Sequence, residues 1–199
     1  MRDPHDHPPG LPTAGSPVVG VVLAAGAGTR FGAPKIAAQQ GNWLRIAVHA
    51  LALGGCDEVL VTMGAQVVEP PAGARAIIVD DWHRGLSRSV AAGLIEARRS
   101  VDSAVVVLHV VDTPDVGPDV VARTIGASGH RRDALVRATF DTRPGHPVII
   151  GSDHVDALLA GLTGDAGAGR YLAAHATEVT EVECGDLAAG LDHDHDDGQ

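Results

Sequence analysis

The segment at residues 23–35 reads LAAGAGTRFGAPK, and it follows the apolar run VVGVV at residues 18–22. The apolar run predicts a buried strand, and the residues after position 35 have the character of a helix. A strand that ends in a glycine-rich loop places backbone N–H groups at the carboxyl edge of a sheet, where anionic ligands bind. Arg30 and Lys35 add two cations to this loop. The segment therefore predicts a phosphate-binding loop in an α/β protein.

Two well-known phosphate-binding patterns do not fit this loop. The dinucleotide fingerprint requires a third glycine at the sixth position counted from Gly26, where Phe31 stands. The Walker pattern requires Gly-Lys-Ser/Thr, whereas Lys35 follows Pro34 and precedes Ile36. The loop thus argues against a typical dehydrogenase and against a P-loop NTPase.

Predicted strands and helices alternate along the chain. The predicted strands cover residues 18–24, 57–63, 75–79, 103–111, 134–140, 148–150 and 177–183. The predicted helices lie near residues 42–53, 86–99, 118–127, 152–162 and 167–175. Repeated βα units imply a single-domain, three-layer α/β/α fold with a mostly parallel sheet. We expect this domain to span residues 17–187, between disordered tails at residues 1–16 and 188–199.

Composition narrows the classes of partner. A formal net charge of −10 disfavours broad binding to nucleic acids or anionic membranes. Cys56 and Cys184 fit no disulfide framework or zinc pattern, so we expect free, buried thiols. The sequence shows no signal peptide, and its longest unbroken apolar run is too short to span a bilayer. These features predict a soluble, cytoplasmic protein.

The pattern L-A-A-G-x-G-x-R-F-G-x-P-K resembles the signature of nucleotidyltransferases with a glycosyltransferase-A-like fold. Within that group it is most similar to the molybdenum cofactor cytidylyltransferase and MobA-like NTP transferase branch. The Val-Asp-Thr-Pro sequence at residues 111–114 resembles the family's (G)D-x-P element, although Val111 replaces the usual glycine. Residues 82–89 resemble its W-x-x-G-x-x-x-S segment, and residues 144–147 match its P-G-H-P turn. Residues 164–170 resemble its G-D-x-G-A-R element, with Arg170 one position late.

The resemblance implies a set of site residues. Catalysis would rest on Arg30, Lys35 and Asp112. The nucleotide would contact Leu23, Ala24, Ala25, Gly26, Gly28, Arg30, Lys35, Gly64, Ser87 and Asp112. Mg²⁺ would bind Asp112 and Asp165, and the acceptor would contact Gly145 and His146. Structural roles are the alternatives for the later residues: Ser87 or Asp165 as a helix cap, Trp82 as a lid over the core, and His146 as part of a turn.

The implied reaction is transfer of a nucleoside monophosphate, with Mg²⁺, from a triphosphate to a phosphate-bearing acceptor. The sequence contains no evident Ser/His/Asp or Cys/His constellation, which agrees with a reaction that needs no general base. Ala25 stands where the resembling families vary between alanine with cytidine and glycine with guanine, so CTP is favoured over GTP. Molybdopterin is the acceptor that the resemblance implies. Sugar phosphates, methylerythritol phosphate and a catalytically weak nucleotide-binding module stay open as alternatives.

Overall fold

The computed structural model describes residues 17–28, 32–100 and 103–193. Its strands are β1 (Val18–Leu23), β2 (Glu58–Met63), β3 (Ala74–Ile78), β4 (Val105–Val110), β5 (Leu135–Phe140), β6 (Arg143–Gly151) and β7 (Val179–Glu183). Its α-helices are α1 (Ala38–Leu53), α2 (Leu86–Ser100), α3 (Pro118–Ser128), α4 (Val155–Gly161) and α5 (Gly169–Ala174). Predicted Arg30 lies outside the described residues, as do the tail residues 1–16 and 194–199.

The strands form one seven-stranded sheet in the order β3-β2-β1-β4-β6-β5-β7. Each neighbouring pair is parallel except the two that contain β6, which runs antiparallel to β4 and to β5. The mostly parallel α/β sheet predicted from the alternation is therefore confirmed. The parallel order also brings the carboxyl ends of β1, β2 and β4 to the same edge of the sheet.

Helices cover both faces of the sheet, and each face has its own core. One core contains Trp43 and Leu51 of α1 and Ile125 of α3. The other contains Leu94 of α2 and Leu158 of α4, together with a residue of α5. The central strands β1 and β4 are buried on both faces, as expected for parallel strands with helices above and below.

Two element predictions are wrong in their bounds. The first helix was predicted to begin near residue 42, but a 3-10 turn at Lys35–Ala37 leads directly into α1 at Ala38. The strand predicted at 148–150 is the nine-residue β6, so the predicted P-G-H-P turn lies inside a strand. The chain reverses instead at Asp141 and Thr142, whose φ angles of 49° and 66° form the β5–β6 hairpin.

The segment after β7 was predicted to be a disordered tail from residue 188. Residues 188–193 lie against the domain instead. The backbone N–H groups of Ala189 and Gly190 both donate to Asp115 Oδ2, at 2.8 and 2.9 Å. Composition suggested disorder, but hydrogen bonds to a carboxylate fix the backbone here.

Both cysteines are free and buried, as predicted. Burial, with a smaller contribution from Asp57, raises the pKa of the Cys56 thiol to about 12, so this thiol is inert at neutral pH. Within the described parts of the chain, none of the helices has the length and apolar character needed to cross a membrane.

Candidate nucleotide-binding site

The chain leaves β1 with its backbone bound to the end of β2. The N–H of Ala24 donates to the carbonyl of Thr62, at 3.2 Å, and approaches its Oγ1, at 3.3 Å. The N–H of Ala65 donates to the carbonyl of Ala25, at 3.0 Å. The first two residues of the glycine-rich loop are therefore held rigidly at the carboxyl edge of the sheet.

The loop then closes on itself at Gly28. This residue has a φ of +60°, and a Cβ there would lie only 1.9 Å from the carbonyl oxygen of Ala33. The N–H of Gly32 donates to the carbonyl of Gly28, at 2.8 Å. Only glycine allows this conformation and this close approach. The loop geometry explains why the sequence carries glycine at this position.

Lys35 and Asp112 form an ion pair across the mouth of the loop. Lys35 opens the 3-10 turn before α1, and Asp112 stands two residues beyond the end of β4. Lys35 Nζ lies 2.6 Å from Asp112 Oδ2, and the two side chains are 13% and 19% exposed. A cation and a carboxylate thus meet, partly shielded from water, at the carboxyl edges of two adjacent strands.

A cavity of about 550 Å³ opens beside this pair. Predicted site residues that line it are Leu23, Ala24, Ala25, Gly26, Gly28, Lys35, Asp112 and Asp165. Other lining residues are Ala27, Trp82, His83, Gly85, Leu86, Ser89, Val110 and Val111. This volume suits a small-molecule ligand of nucleotide size.

Of the predicted site residues that the structure describes, four do not line the cavity: Gly64, Ser87, Gly145 and His146. Gly64 lies behind the wall, where a Cβ would come within 2.5 Å of Trp82 Cβ and 2.8 Å of the Ala25 carbonyl oxygen. Ser87 is buried, and its N–H donates to the carbonyl of Gly164, at 3.0 Å. Ser89, two residues further along α2, lines the cavity in its place.

Asp165 reaches the cavity from the far side of the sheet edge. Its loop packs on the turn before α2, because a Cβ on Gly85 would lie 2.7 Å from Asp165 Oδ1. Helix α5 begins only at Gly169, after Ala168 as its N-cap, so Asp165 does not cap it. Arg170 is exposed and does not line the cavity.

The donor set of the cavity fits a hard divalent cation. Mg²⁺ typically takes one or two protein carboxylates and completes its shell with phosphate oxygens and water. Asp112 and Asp165 offer two carboxylates in one cavity. Among the described residues there is no cluster of three or more His, Cys, Asp or Glu side chains that would hold a metal by itself. A cation here would therefore depend on the ligand's own phosphates.

Two histidines that lie near each other stand behind Asp112. His146 of β6 is partly buried; burial lowers its pKa, and the negative charge of Asp112 opposes this shift. His109 of β4 is fully buried, and neither of its ring nitrogens has a partner among the described residues. Burial, together with the nearby His146, lowers the pKa of His109 to about 3, so its imidazole is neutral. His109 was not predicted as a site residue, although a histidine in the apolar strand VVVLHV was a usable signal.

Comparisons with known proteins agree with this architecture. The family model for the MobA-like NTP transferase domain matches residues 20–179. A protein of Paenarthrobacter nicotinovorans named nicotine blue oxidoreductase is 31% identical over 192 residues, covering 89% of this chain and 92% of that protein.

Two solved structures show the same fold. A nucleotidyl transferase from Methanothermobacter superposes with a TM-score of 0.73 at 19% identity, covering 89% of this chain and 92% of the other. The Rv0371c protein of Mycobacterium tuberculosis H37Rv, solved in complex with manganese, gives 0.66 at 23% identity, covering 85% and 89%.

Proposed function

Because the chain belongs to the MobA-like NTP transferase family, a family of nucleotidyltransferases, we propose that it transfers CMP from CTP to a phosphate-bearing acceptor, with Mg²⁺, and releases pyrophosphate. The observation that carries the proposal is the Lys35–Asp112 pair at the mouth of a nucleotide-sized cavity. Molybdopterin is the acceptor we propose, on the resemblance of the loop and of the P-G-H-P segment.

In the proposed reaction an oxygen of the acceptor's phosphate forms a bond to the α-phosphorus of CTP. The bond from that phosphorus to the bridging oxygen of the β-phosphate breaks, and pyrophosphate leaves with the electron pair. A phosphate monoester has a second pKa of about 6 and is largely dianionic at neutral pH, so no general base is required. Catalysis then consists of positioning and charge neutralisation.

The roles of the residues follow from their places. Lys35 and the backbone N–H groups of the loop residues 25–28 would bind the phosphates, and Arg30 would add a second cation from the same loop. Asp112 would hold Mg²⁺, with Asp165 as a second ligand directly or through water. When bound, the ion would neutralise charge on the phosphates. Gly145 and His146 would contact the acceptor beyond Asp112.

The preference for CTP rests on the wall of the cavity at Ala25. Its side chain is 2% exposed and its carbonyl is fixed by Ala65, so the methyl group cannot move aside. A fixed methyl group narrows the space for the base and favours a pyrimidine over a purine. Gly64 supports this wall from behind, because a Cβ there would clash with both Trp82 and the carbonyl oxygen of Ala25.

The test is pyrophosphate release from each of the four nucleoside triphosphates, with Mg²⁺ and molybdopterin as the acceptor. We expect release with CTP, and a loss of at least about a hundredfold in kcat for Asp112→Ala and for Lys35→Ala, since removing one preorganised charge contact typically costs 10²–10³ in rate. The matched control is the exposed surface pair of Arg98 and Asp156, whose alanine variants should keep full activity.

Each other result has a defined meaning. Release with GTP instead of CTP would assign the guanylyl reaction, and release only with a sugar phosphate or methylerythritol phosphate would assign a different acceptor. Binding of CTP without pyrophosphate release for any acceptor would indicate a nucleotide-binding module that does not catalyse the transfer. Full activity in Asp112→Ala would remove this carboxylate from the chemistry.

A redox reaction is the second candidate, because the 31% identical relative is named an oxidoreductase. The same cavity would then hold a nicotinamide dinucleotide in place of CTP, although the loop lacks the third glycine of the usual fingerprint. Oxidation of NADPH with nicotine blue, in the absence of CTP, would favour this reading. Failure of NADPH to bind would exclude it.

A further inference from the structure

The segment that follows β7 is held against the carboxyl edge of the sheet; we name residues 184–193 the C-terminal strap. It begins where the N–H of Cys184 donates to the carbonyl of Thr139, at 2.8 Å. Asp186 then accepts two hydrogen bonds from the Arg123 guanidinium, at 2.6 and 2.9 Å. Bidentate pairs of this kind fix orientation as well as distance.

The middle of the strap is bound by side chains of the domain. Asp115 Oδ2 accepts the N–H groups of Ala189 and Gly190, and the Arg143 guanidinium donates to the carbonyl of Ala189, at 3.1 Å. Gly190 has a φ of +60°, and a Cβ there would lie 2.2 Å from the ring of Phe140. The strap therefore follows one defined path that only glycine permits at this point.

This path ends beside the catalytic edge. The N–H of His193 donates to the backbone carbonyl of Asp112, at 3.0 Å. The exposed imidazole of His193 packs on the indole of the buried Trp43, with ring centroids 5.3 Å apart and an interplanar angle of 51°. The ring of Trp43 thus holds the imidazole of a residue whose backbone is bonded to Asp112, the proposed metal ligand.

We propose that His193 is an acceptor-binding residue, which donates a hydrogen bond to the phosphate group that attacks the nucleotide. This inference rests on the proposed function. His193 does not line the nucleotide cavity, although its backbone is hydrogen-bonded to Asp112, so its imidazole is available to a second ligand. An imidazole N–H is a suitable donor to a phosphate oxygen. Asp115 is then a positioning residue, which acts only by fixing the strap.

The test measures binding of inorganic phosphate, as a probe for the acceptor's phosphate, to full-length protein saturated with Mg²⁺ and the non-hydrolysable α,β-methylene analogue of CTP. Titration calorimetry gives the affinity. We expect His193→Ala to weaken phosphate binding at least fivefold and to leave the affinity for the CTP analogue within twofold. Leu191→Ala is the matched control, because Leu191 is an exposed residue of the same strap.

Asp115→Ala tests the positioning role. We expect it to weaken phosphate binding as much as His193→Ala does, and the double variant to be no weaker than either single variant, since both changes remove the same contact. A role confined to stability would lower the thermal midpoint in each variant and leave phosphate affinity unchanged.

The inference is overturned if His193→Ala binds phosphate within twofold of wild type, or if wild-type protein in this state binds no phosphate. Its failure is distinguishable from failure of the proposed function. Pyrophosphate release by wild type, with phosphate binding that does not depend on His193, would support the nucleotidyltransferase reaction and exclude the C-terminal strap from acceptor binding. Phosphate binding that depends on His193, with no pyrophosphate release from any triphosphate, would support the role of His193 and contradict the nucleotidyltransferase reaction.

Discussion

One residue of the cavity wall, Ala25, is the basis of the proposed preference for CTP over GTP. Losing a methyl group from an apolar wall changes discrimination by about 1–3 kcal/mol. We therefore expect Ala25→Gly to raise the ratio of kcat/KM for GTP to that for CTP by roughly tenfold or more. Competition between the two triphosphates in the pyrophosphate assay measures this ratio.

Ala27→Gly serves as the control for this change. Ala27 also lines the cavity and also loses one methyl group, but it lies two residues further along the loop. An equal shift in both variants would point to loop flexibility. An unaltered ratio in Ala25→Gly would contradict the size argument.

At this scale the sequence predicted best those residues whose position depends only on the end of a strand. Lys35 and Asp112 meet because the glycine loop and the end of β4 share one sheet edge, which follows from the βα pattern. The choice between Ser87 and Ser89 depends on the rotation of α2 about its axis, which is set by packing against the loop at Gly164. The W-x-x-G-x-x-x-S pattern at residues 82–89 nevertheless ends at Ser89 and was a usable signal for it.

Among the elements, α2 and β1 approach each other closely at a single glycine. A Cβ on Gly93 would lie 2.5 Å from Val21 Cγ1, so the helix packs directly on the strand that carries the loop. We expect Gly93→Ala to lower the free energy of unfolding by about 1–3 kcal/mol, as overpacked cores do. Urea denaturation measures the change.

Helix α3 offers the opposite case at Gly126, where a Cβ would meet nothing within 4 Å. We expect Gly126→Ala to raise the free energy of unfolding by about 0.5–1 kcal/mol, because alanine is a better helix former than glycine. Destabilisation of similar size in both variants would contradict the close-packing account.

A second element-scale contact joins β7 to the β5–β6 hairpin through Glu183. Its carboxylate accepts from the N–H groups of Gly185, Thr142 and Asp141 and from the Thr139 hydroxyl. These hydrogen bonds, that from Gly185 first, lower the pKa of Glu183 to about 2. The stabilisation that these hydrogen bonds give to the folded state is therefore complete above the ordinary carboxyl pKa of 4.5, and it is lost as the pH falls towards 2.

We expect Glu183→Gln to lower the free energy of unfolding near pH 7 and to flatten its decline between pH 4.5 and pH 2. Urea denaturation at several pH values provides the comparison. Glu181→Gln, on the same strand, is the control, since the Glu181 carboxylate pairs with the side chain of Arg137. An unchanged pH profile in Glu183→Gln would show that this carboxylate does not join the elements.

The hairpin also shows where element prediction failed. Residues 144–147 were predicted to be a turn from their resemblance to the family's P-G-H-P turn, and Pro144, Gly145 and Pro147 are residues that normally interrupt strands. Pairing of β6 with β5 outweighs this local preference: Thr139 pairs with Pro144, and Phe140 with Arg143. Long-range pairing of this kind is decided by the sheet, whereas the parallel strands with strong apolar runs were predicted within a few residues.

For the whole molecule, an acidic chain must bind an anionic ligand. The net charge of −10 repels a nucleoside triphosphate at long range, so in the proposed function binding would depend on the local field of the loop cations and on a divalent ion. We therefore expect CTP to raise the thermal midpoint only when Mg²⁺ is present. A ligand at a hundred times its Kd adds about 2.7 kcal/mol, which for a domain of this size corresponds to roughly 5–10 °C.

The decisive comparison sets CTP, GTP and NADPH side by side, each with Mg²⁺ and with EDTA, on wild type and Asp112→Ala. In the proposed function, a cation shared between Asp112 and the phosphates would hold the nucleotide, so removal of this carboxylate should abolish the dependence on Mg²⁺ and most of the shift with CTP. Asp156→Ala should behave as wild type, because its carboxylate lies on the surface. An increase in the thermal midpoint with CTP that is equal in EDTA, or unaltered in Asp112→Ala, would contradict a metal-bridged triphosphate at this edge of the sheet. A larger increase with NADPH than with CTP would favour the redox reaction over nucleotidyl transfer.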